Sequence, residues 1–199
     1  MANDIKFLVM TFFLVAWLAS LGQCASANGK NKYVRDACRV TRYPDLCIHS
    51  LAPFSNTAKT SPTLWARAGV SVTLSEAKSV ARYLVRLKSQ RSSFRGRNSA
   101  ALSDCIECFE NVIDELHKSL RVLRSLSRGT FSTQMADLNT WLSAALTDED
   151  TCLDGFAGQK GKLIKFLLNR VSKASYITSN ALALANKLAA TGLGSVIDP

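Results

Sequence analysis

Four stretches of this chain repeat apolar residues at the spacing of one helical face, and that repetition leaves few folds open. From Ser61-Pro62 to about Gln90, the residues Val70, Leu74, Ala77, Ala81 and Leu84 stand at i, i+4, i+7, i+11 and i+14, which is a single stripe along an α-helix. Ser61 reads as its N-cap and Pro62 as its first residue. From about Ser99 to Ser127 the stripe is Leu102, Cys105, Phe109, Val112, Leu116, Leu120 and Leu123, with Gly129 as the stop. A third, about Ser132 to Leu146, carries Phe131, Met135, Leu138, Leu142 and Ala145, and a fourth, about Leu163 to Ala190, carries Leu167, Ala174, Ala181, Leu184 and Leu188. No strand-like alternation competes. Four long amphipathic helices joined by short loops predict an all-α, up-down-up-down four-helix bundle over residues 61–191.

Upstream, from Asn31 to Ala52, two short helical pieces flank Arg42-Tyr43-Pro44-Asp45. They read as a helical hairpin within 28–58, too small to bury much alone and expected to pack on the larger body. Ser55 to Ser61 reads as a loop. Residues 1–27 read as a secretory signal peptide. Lys6 precedes the apolar run Phe7 to Leu21, and Ala25-Ser26-Ala27 supplies small residues for cleavage. The run is short for a membrane span of roughly 20 residues. The expectation is therefore a secreted protein with no membrane segment, its single folded domain covering 28–199.

Cleavage would remove Cys24 and leave Cys38, Cys47, Cys105, Cys108 and Cys152. An oxidising compartment favours two disulfides and one leftover. A Cys38–Cys47 bridge would close the hairpin and contribute about 2.7 kcal/mol by chain entropy. In the bundle topology the start of the second long helix and the end of the third share one end. A Cys105–Cys152 bridge is geometrically natural there and contributes about 4 kcal/mol in the same treatment. Cys108, one turn beyond Cys105, is expected as a buried free thiol.

Removing residues 1–27 takes one base, Lys6, and one acid, Asp4, so the formal charge of +10 is unchanged. In an exported protein the matching polyanion is an anionic matrix polysaccharide rather than nucleic acid. Arg82, Arg86, Lys88, Arg91, Arg95 and Arg97 gather at the end of the first long helix and in the following loop. The run Asp148-Glu149-Asp150 reads as an ordinary acidic loop before Cys152. Catalytic chemistry finds no foothold. His49 and His117 lack metal-site spacing, no glycine-rich phosphate loop appears, and Gly69-Val-Ser71-Val-Thr73 lacks the second glycine of a nucleophile elbow. No metal and no cofactor is expected, and the protein reads as a non-enzyme.

Several strings are more specific than composition. Cys38…Arg42-Tyr43-Pro44-Asp45-Leu46-Cys47, Ala101-Leu102-Ser103-Asp104-Cys105, and Leu138-Asn139-Thr140-Trp141-Leu142-Ser143-Ala144-Ala145-Leu146 through Thr151-Cys152-Leu153-Asp154-Gly155-Phe156 resemble the plant invertase and pectin methylesterase inhibitor family. The resemblance covers essentially the whole chain after residue 27. It implies the same hairpin-plus-bundle fold, bridges Cys38–Cys47 and Cys105–Cys152, and Cys108 free. Ser179-Asn180-Ala181-Leu182-Ala183-Leu184 looks like the methylesterase-inhibitor branch, and Ile164-Lys165-Phe166 lacks the proline of the Pro-Lys-Phe tripeptide associated with invertase inhibitors.

The resemblance thus implies an apoplastic inhibitor that forms a reversible, stoichiometric complex with pectin methylesterase and covers its pectin-binding cleft. Acid invertase is the alternative target, and binding of anionic pectin by the basic face the alternative activity. A methylesterase pro-region would look similar, but the expectation is a free-standing inhibitor, since no catalytic domain follows Pro199. Counting from the matching cysteines carries the family's contact positions onto Glu107, Asn111, Asp114, Thr151 and Asp154. An asparagine stands at position 111 where an acid can occur.

Overall fold

The computed structural model describes residues 32–90 and 94–193. The signal-peptide segment and Arg91 lie outside them. Among the described residues the chain is helical without strands. A helix over 32–38 (α1) is followed by α2 (Pro44–Leu51), a 3₁₀ turn (Ala52–Phe54) and α3 (Ser55–Ala58). The four long helices are α4 (Pro62–Ser89), α5 (Arg97–Arg124), α6 (Phe131–Gly155) and α7 (Lys162–Thr191). Each packs on its neighbours in the order α4–α5–α6–α7, and α7 closes back on α4. This is the up-down-up-down bundle the stripes predict.

Local chemistry sets the helix ends. The Ser61 side chain accepts from the Leu64 amide at 3.3 Å and Pro62 fills the first turn of α4, so one otherwise unpaired donor is satisfied. Gly192, at φ +71, caps α7 in a conformation that costs glycine little. The α5 stripe is buried at every predicted position, Leu102 through Leu123. Burial of a Leu- or Phe-sized side chain contributes about 1.5–3 kcal/mol, which makes this face the main reason α5 is a helix in this chain.

Three boundaries differ from the sequence reading. Ser55–Ala58 is a short helix rather than loop. The second long helix stops at Arg124, and Gly129 sits in a 3₁₀ turn, Arg128–Thr130, five residues past that stop. Most consequentially, α6 does not stop at Leu146 but continues to Gly155. Asp148, Glu149 and Asp150 are helical residues, and the loop reading is wrong for all three. The stripe persists because Ala145, Glu149 and Cys152 continue the i, i+4, i+7 spacing on the core side, and all three are buried.

The hairpin docks on α4 and α7. Val34, Ala37, Cys38, Cys47 and Leu51 form a second apolar cluster with Ala58, Trp65, Ala68 and Leu184. Cys38 and Cys47 are bridged. The turn between α1 and α2 is held by Asn180, whose Oδ1 accepts from the Tyr43 amide at 3.0 Å and whose Nδ2 donates to the Tyr43 carbonyl at 2.9 Å. The Tyr43 ring stacks on Tyr176 with centroids 4.2 Å apart. Gly69 lets α4 and α7 approach here: a Cβ at that position would stand 3.2 Å from Leu184 Cδ1. The segment from Gly69 to Thr73 is therefore a packing seam within α4, not an elbow.

Candidate partner-binding site

At the other end of the bundle Cys105, near the start of α5, is bridged to Cys152, near the end of α6. Cys108 is free and buried. The expected pairing and the expected leftover thiol are both found. Burial raises the Cys108 thiol above its ordinary range, and the negative charges of Asp148, Asp104 and Glu107 add to that. The thiolate population of Cys108 is correspondingly small.

The five residues expected to meet a partner lie on the two helices that this bridge joins. Glu107, Asn111 and Asp114 stand at i, i+4 and i+7 on α5, and all are exposed. Thr151 and Asp154 are exposed on α6, the helix that packs alongside α5. Thr147 precedes them by one turn on the same outward stripe. The two stripes form a polar strip across the α5–α6 pair. Neither Glu107, Asp114 nor Asp154 has an ion-pair partner among the described residues.

The hydrogen-bonding of the strip is one-sided. The Thr151 hydroxyl donates to the Thr147 carbonyl at 2.7 Å, and the Thr147 hydroxyl donates to the Ser143 carbonyl at 3.0 Å. With its proton engaged inside the helix, Thr151 offers only acceptor lone pairs outward. A carboxylate, the group that Glu107, Asp114 and Asp154 carry, likewise accepts only. Asn111 is the exception, since its amide both donates and accepts. Such a strip matches a partner surface rich in N–H and O–H donors.

One helical turn inward the chemistry reverses. Glu149 is fully buried. Burial pushes its carboxyl up to about 8, with Asp150 and Asp148 adding to the rise and the Thr178 hydrogen bond opposing it. The Thr178 hydroxyl lies 2.9 Å from Glu149 Oε1 and 3.1 Å from the Ala174 carbonyl oxygen. One hydroxyl proton cannot serve both fully. A protonated Glu149 resolves this, because its own O–H then donates to Thr178 and the threonine proton goes to Ala174. Glu149 Oε2 has no hydrogen-bond partner among the described residues, which costs far less for a neutral acid than for a carboxylate. Beside it, burial also raises Asp148, and burial together with Asp148 raises Glu115.

Sequence reasoning missed two features of this region. Glu149 is a core residue tying α6 to α7, a role its i, i+4, i+7 register with Ala145 and Cys152 signals. Phe166, in the first turns of α7, is 70% exposed and adds an apolar group near this end of the bundle. The basic residues Arg82, Arg86, Lys88, Arg95 and Arg97 are all exposed. None of them is paired with a carboxylate among the described residues.

Residues 32–184 match the model of the family described as plant invertase/pectin methylesterase inhibitor. The chain belongs to that family. Among its relatives, pectinesterase inhibitor 6 of Arabidopsis thaliana is 46% identical over 182 residues, covering 88% of this chain and 86% of that protein. A 21 kDa protein of Daucus carota is 35% identical over 171 residues, covering 83% and 88%. A crystal structure of a mutant form of a pectin methylesterase inhibitor from Arabidopsis superposes with a TM-score of 0.60 at 21% identity, over 75% of this chain and 92% of that one. The family's fold is the one described above. Among the described residues no helix is long and apolar enough to cross a membrane.

Proposed function

We propose that this protein is a secreted inhibitor of pectin methylesterase that acts by occlusion, forming a reversible one-to-one complex over the enzyme's pectin-binding cleft. Family membership carries the reading, through a relative 46% identical that is named as a pectinesterase inhibitor. The α5–α6 strip supports the placement of the interface: Glu107, Asn111, Asp114, Thr151 and Asp154 are exposed together on a disulfide-braced, rigid pair of helices, and their acceptors are unused. Residues 1–27 act as the export signal in this proposal, and the inhibitor works in the cell wall.

Inhibition requires only that the strip and its surroundings exclude substrate, so no residue of this chain performs chemistry. The test is a side-by-side titration of purified protein against pectin methylesterase and acid invertase. Stoichiometric loss of methylesterase activity with invertase unaffected is the expected result; inhibition of invertase alone would refute the proposal. The exposed bases Arg82, Arg86, Arg95 and Arg97, without a carboxylate partner among the described residues, favour a second activity, retention on anionic wall pectin. Its signature is polygalacturonate binding that weakens as salt screens the charges.

A further inference from the structure

We propose that a cavity at the hairpin end of the bundle binds a uronic acid residue, a sugar ring carrying one carboxylate. The cavity holds ≈ 300 Å³, is walled by Tyr33, Trp65 and Leu184, and has Lys32, Lys59 and Lys187 around it. That volume matches the lower end of small-ligand sites, which combine apolar walls with a few directed polar groups. It lies where α1, the start of α4 and the last turns of α7 meet. The chain's up-down path puts this at the end opposite the Cys105–Cys152 bridge. The proposal is independent of the enzyme-inhibition reading.

Charge defines the ligand's sign. Three lysines line one cavity, and none of them is paired with a carboxylate among the described residues. The acid on the wall, Asp36, is engaged by Arg39 at 3.3 Å. Like charges so placed repel, and an anion between them relieves the repulsion.

The walls define the rest of the ligand. Of the two aromatic walls Tyr33 is 37% exposed and Trp65 is buried at 4%; an exposed aromatic face is negative and attracts the slightly positive C–H bonds along one side of a sugar ring, and a bare phosphate has no such side. Lys59 is also held in place at an unusual cost. Its φ of +42 is the sole positive value at a non-glycine among the described residues, and the Trp65 indole N–H donates to its carbonyl at 2.8 Å. Backbone strain that the surroundings enforce is a mark of ligand sites, and here the residue enforcing it is the one that walls the cavity.

Isothermal titration of the purified protein with trigalacturonate tests this. One-to-one binding is expected, and the uncharged galactose trimer and inorganic phosphate should each bind at least about tenfold more weakly, since each lacks one of the two features recognised. The double variant Lys59→Gln/Lys187→Gln should lose about tenfold or more, while Lys162→Gln/Lys165→Gln, exposed at the start of α7 and at the opposite end of the bundle, binds like the parent. Both variants change exposed or half-exposed side chains, and unchanged helical circular dichroism confirms their folding. Phosphate binding as tight as trigalacturonate would overturn the assignment of a uronate. Unchanged binding by the Lys59/Lys187 variant, equal loss in the Lys162/Lys165 variant, or no binding by the parent would overturn the site.

Discussion

The last three turns of α6 carry two faces that use the same residue types for opposite ends. On the outer face Thr147, Thr151 and Asp154 are exposed; on the inner face Ala145, Glu149 and Cys152 are buried. Glu149 and Asp154 stand five residues apart, and one helical phase separates a neutral core acid from a solvated carboxylate without an ion-pair partner among the described residues. Acid content alone says nothing about which carboxylates can meet a partner. Phase decides it.

The comparison can be broken most forcefully at the bridge. Cys152 belongs to the inner face, so Cys105→Ala/Cys152→Ala should destabilise the whole domain by about 4 kcal/mol through the chain-entropy effect. Thermal unfolding under non-reducing conditions measures this, and an unchanged melting temperature would show that the bridge braces nothing.

Glu149 sharpens the comparison through pH. Its folded-state carboxyl is raised to about 8 from an ordinary 4.5, so the folded protein holds a proton that the unfolded chain releases. The stability this contributes is fully present below pH 4.5 and is lost as pH rises towards 8. Glu149→Gln keeps a neutral, hydrogen-bonding side chain and should flatten that slope. The variant should be close to the parent at pH 4.5 and more stable than it at pH 8. Parallel stability–pH curves for the two would mean that Glu149 is not a protonated core residue.

A smaller effect is expected at the hairpin. Asn180→Ala removes two hydrogen bonds to the Tyr43 backbone, each contributing about 1 kcal/mol, and leaves the Tyr43 amide and carbonyl unpaired. Loss of about 1–3 kcal/mol, with the bundle's helicity retained, is the expected outcome in denaturant unfolding.

Much of this architecture was legible in the sequence because helical stripes are local patterns. The α5 stripe from Leu102 to Leu123 predicts every buried position it names, and the shared end of two helices predicts the Cys105–Cys152 pair. What stayed hidden depended on distant partners or on a residue type out of place. Asn180 lies 137 positions from Tyr43, and no local pattern announces that clamp. The end of α6 was obscured because a glutamate occupies a core position of the stripe. Three consecutive acids and the glycines at 155, 158 and 161 suggest a loop, yet Ala145, Glu149 and Cys152 keep the helical phase, and burial on Thr178 outweighs propensity. The strip itself came from resemblance rather than periodicity. Five polar residues, each unremarkable alone, share one surface only after α5 and α6 pack together.

The smallest effect on stability should accompany the largest effect on function. Thr151→Ala/Asp154→Ala touches only exposed side chains, so the melting temperature should change by no more than surface substitutions do, about 0.5 kcal/mol in stability. Methylesterase inhibition by the double variant, measured beside the parent at equal concentration, is the most direct test of the outer face. The account predicts inhibition weakened by about tenfold or more, as expected for lost contacts to charged or donor-rich groups, with helical circular dichroism unchanged. Full inhibition by a folded double variant would contradict it.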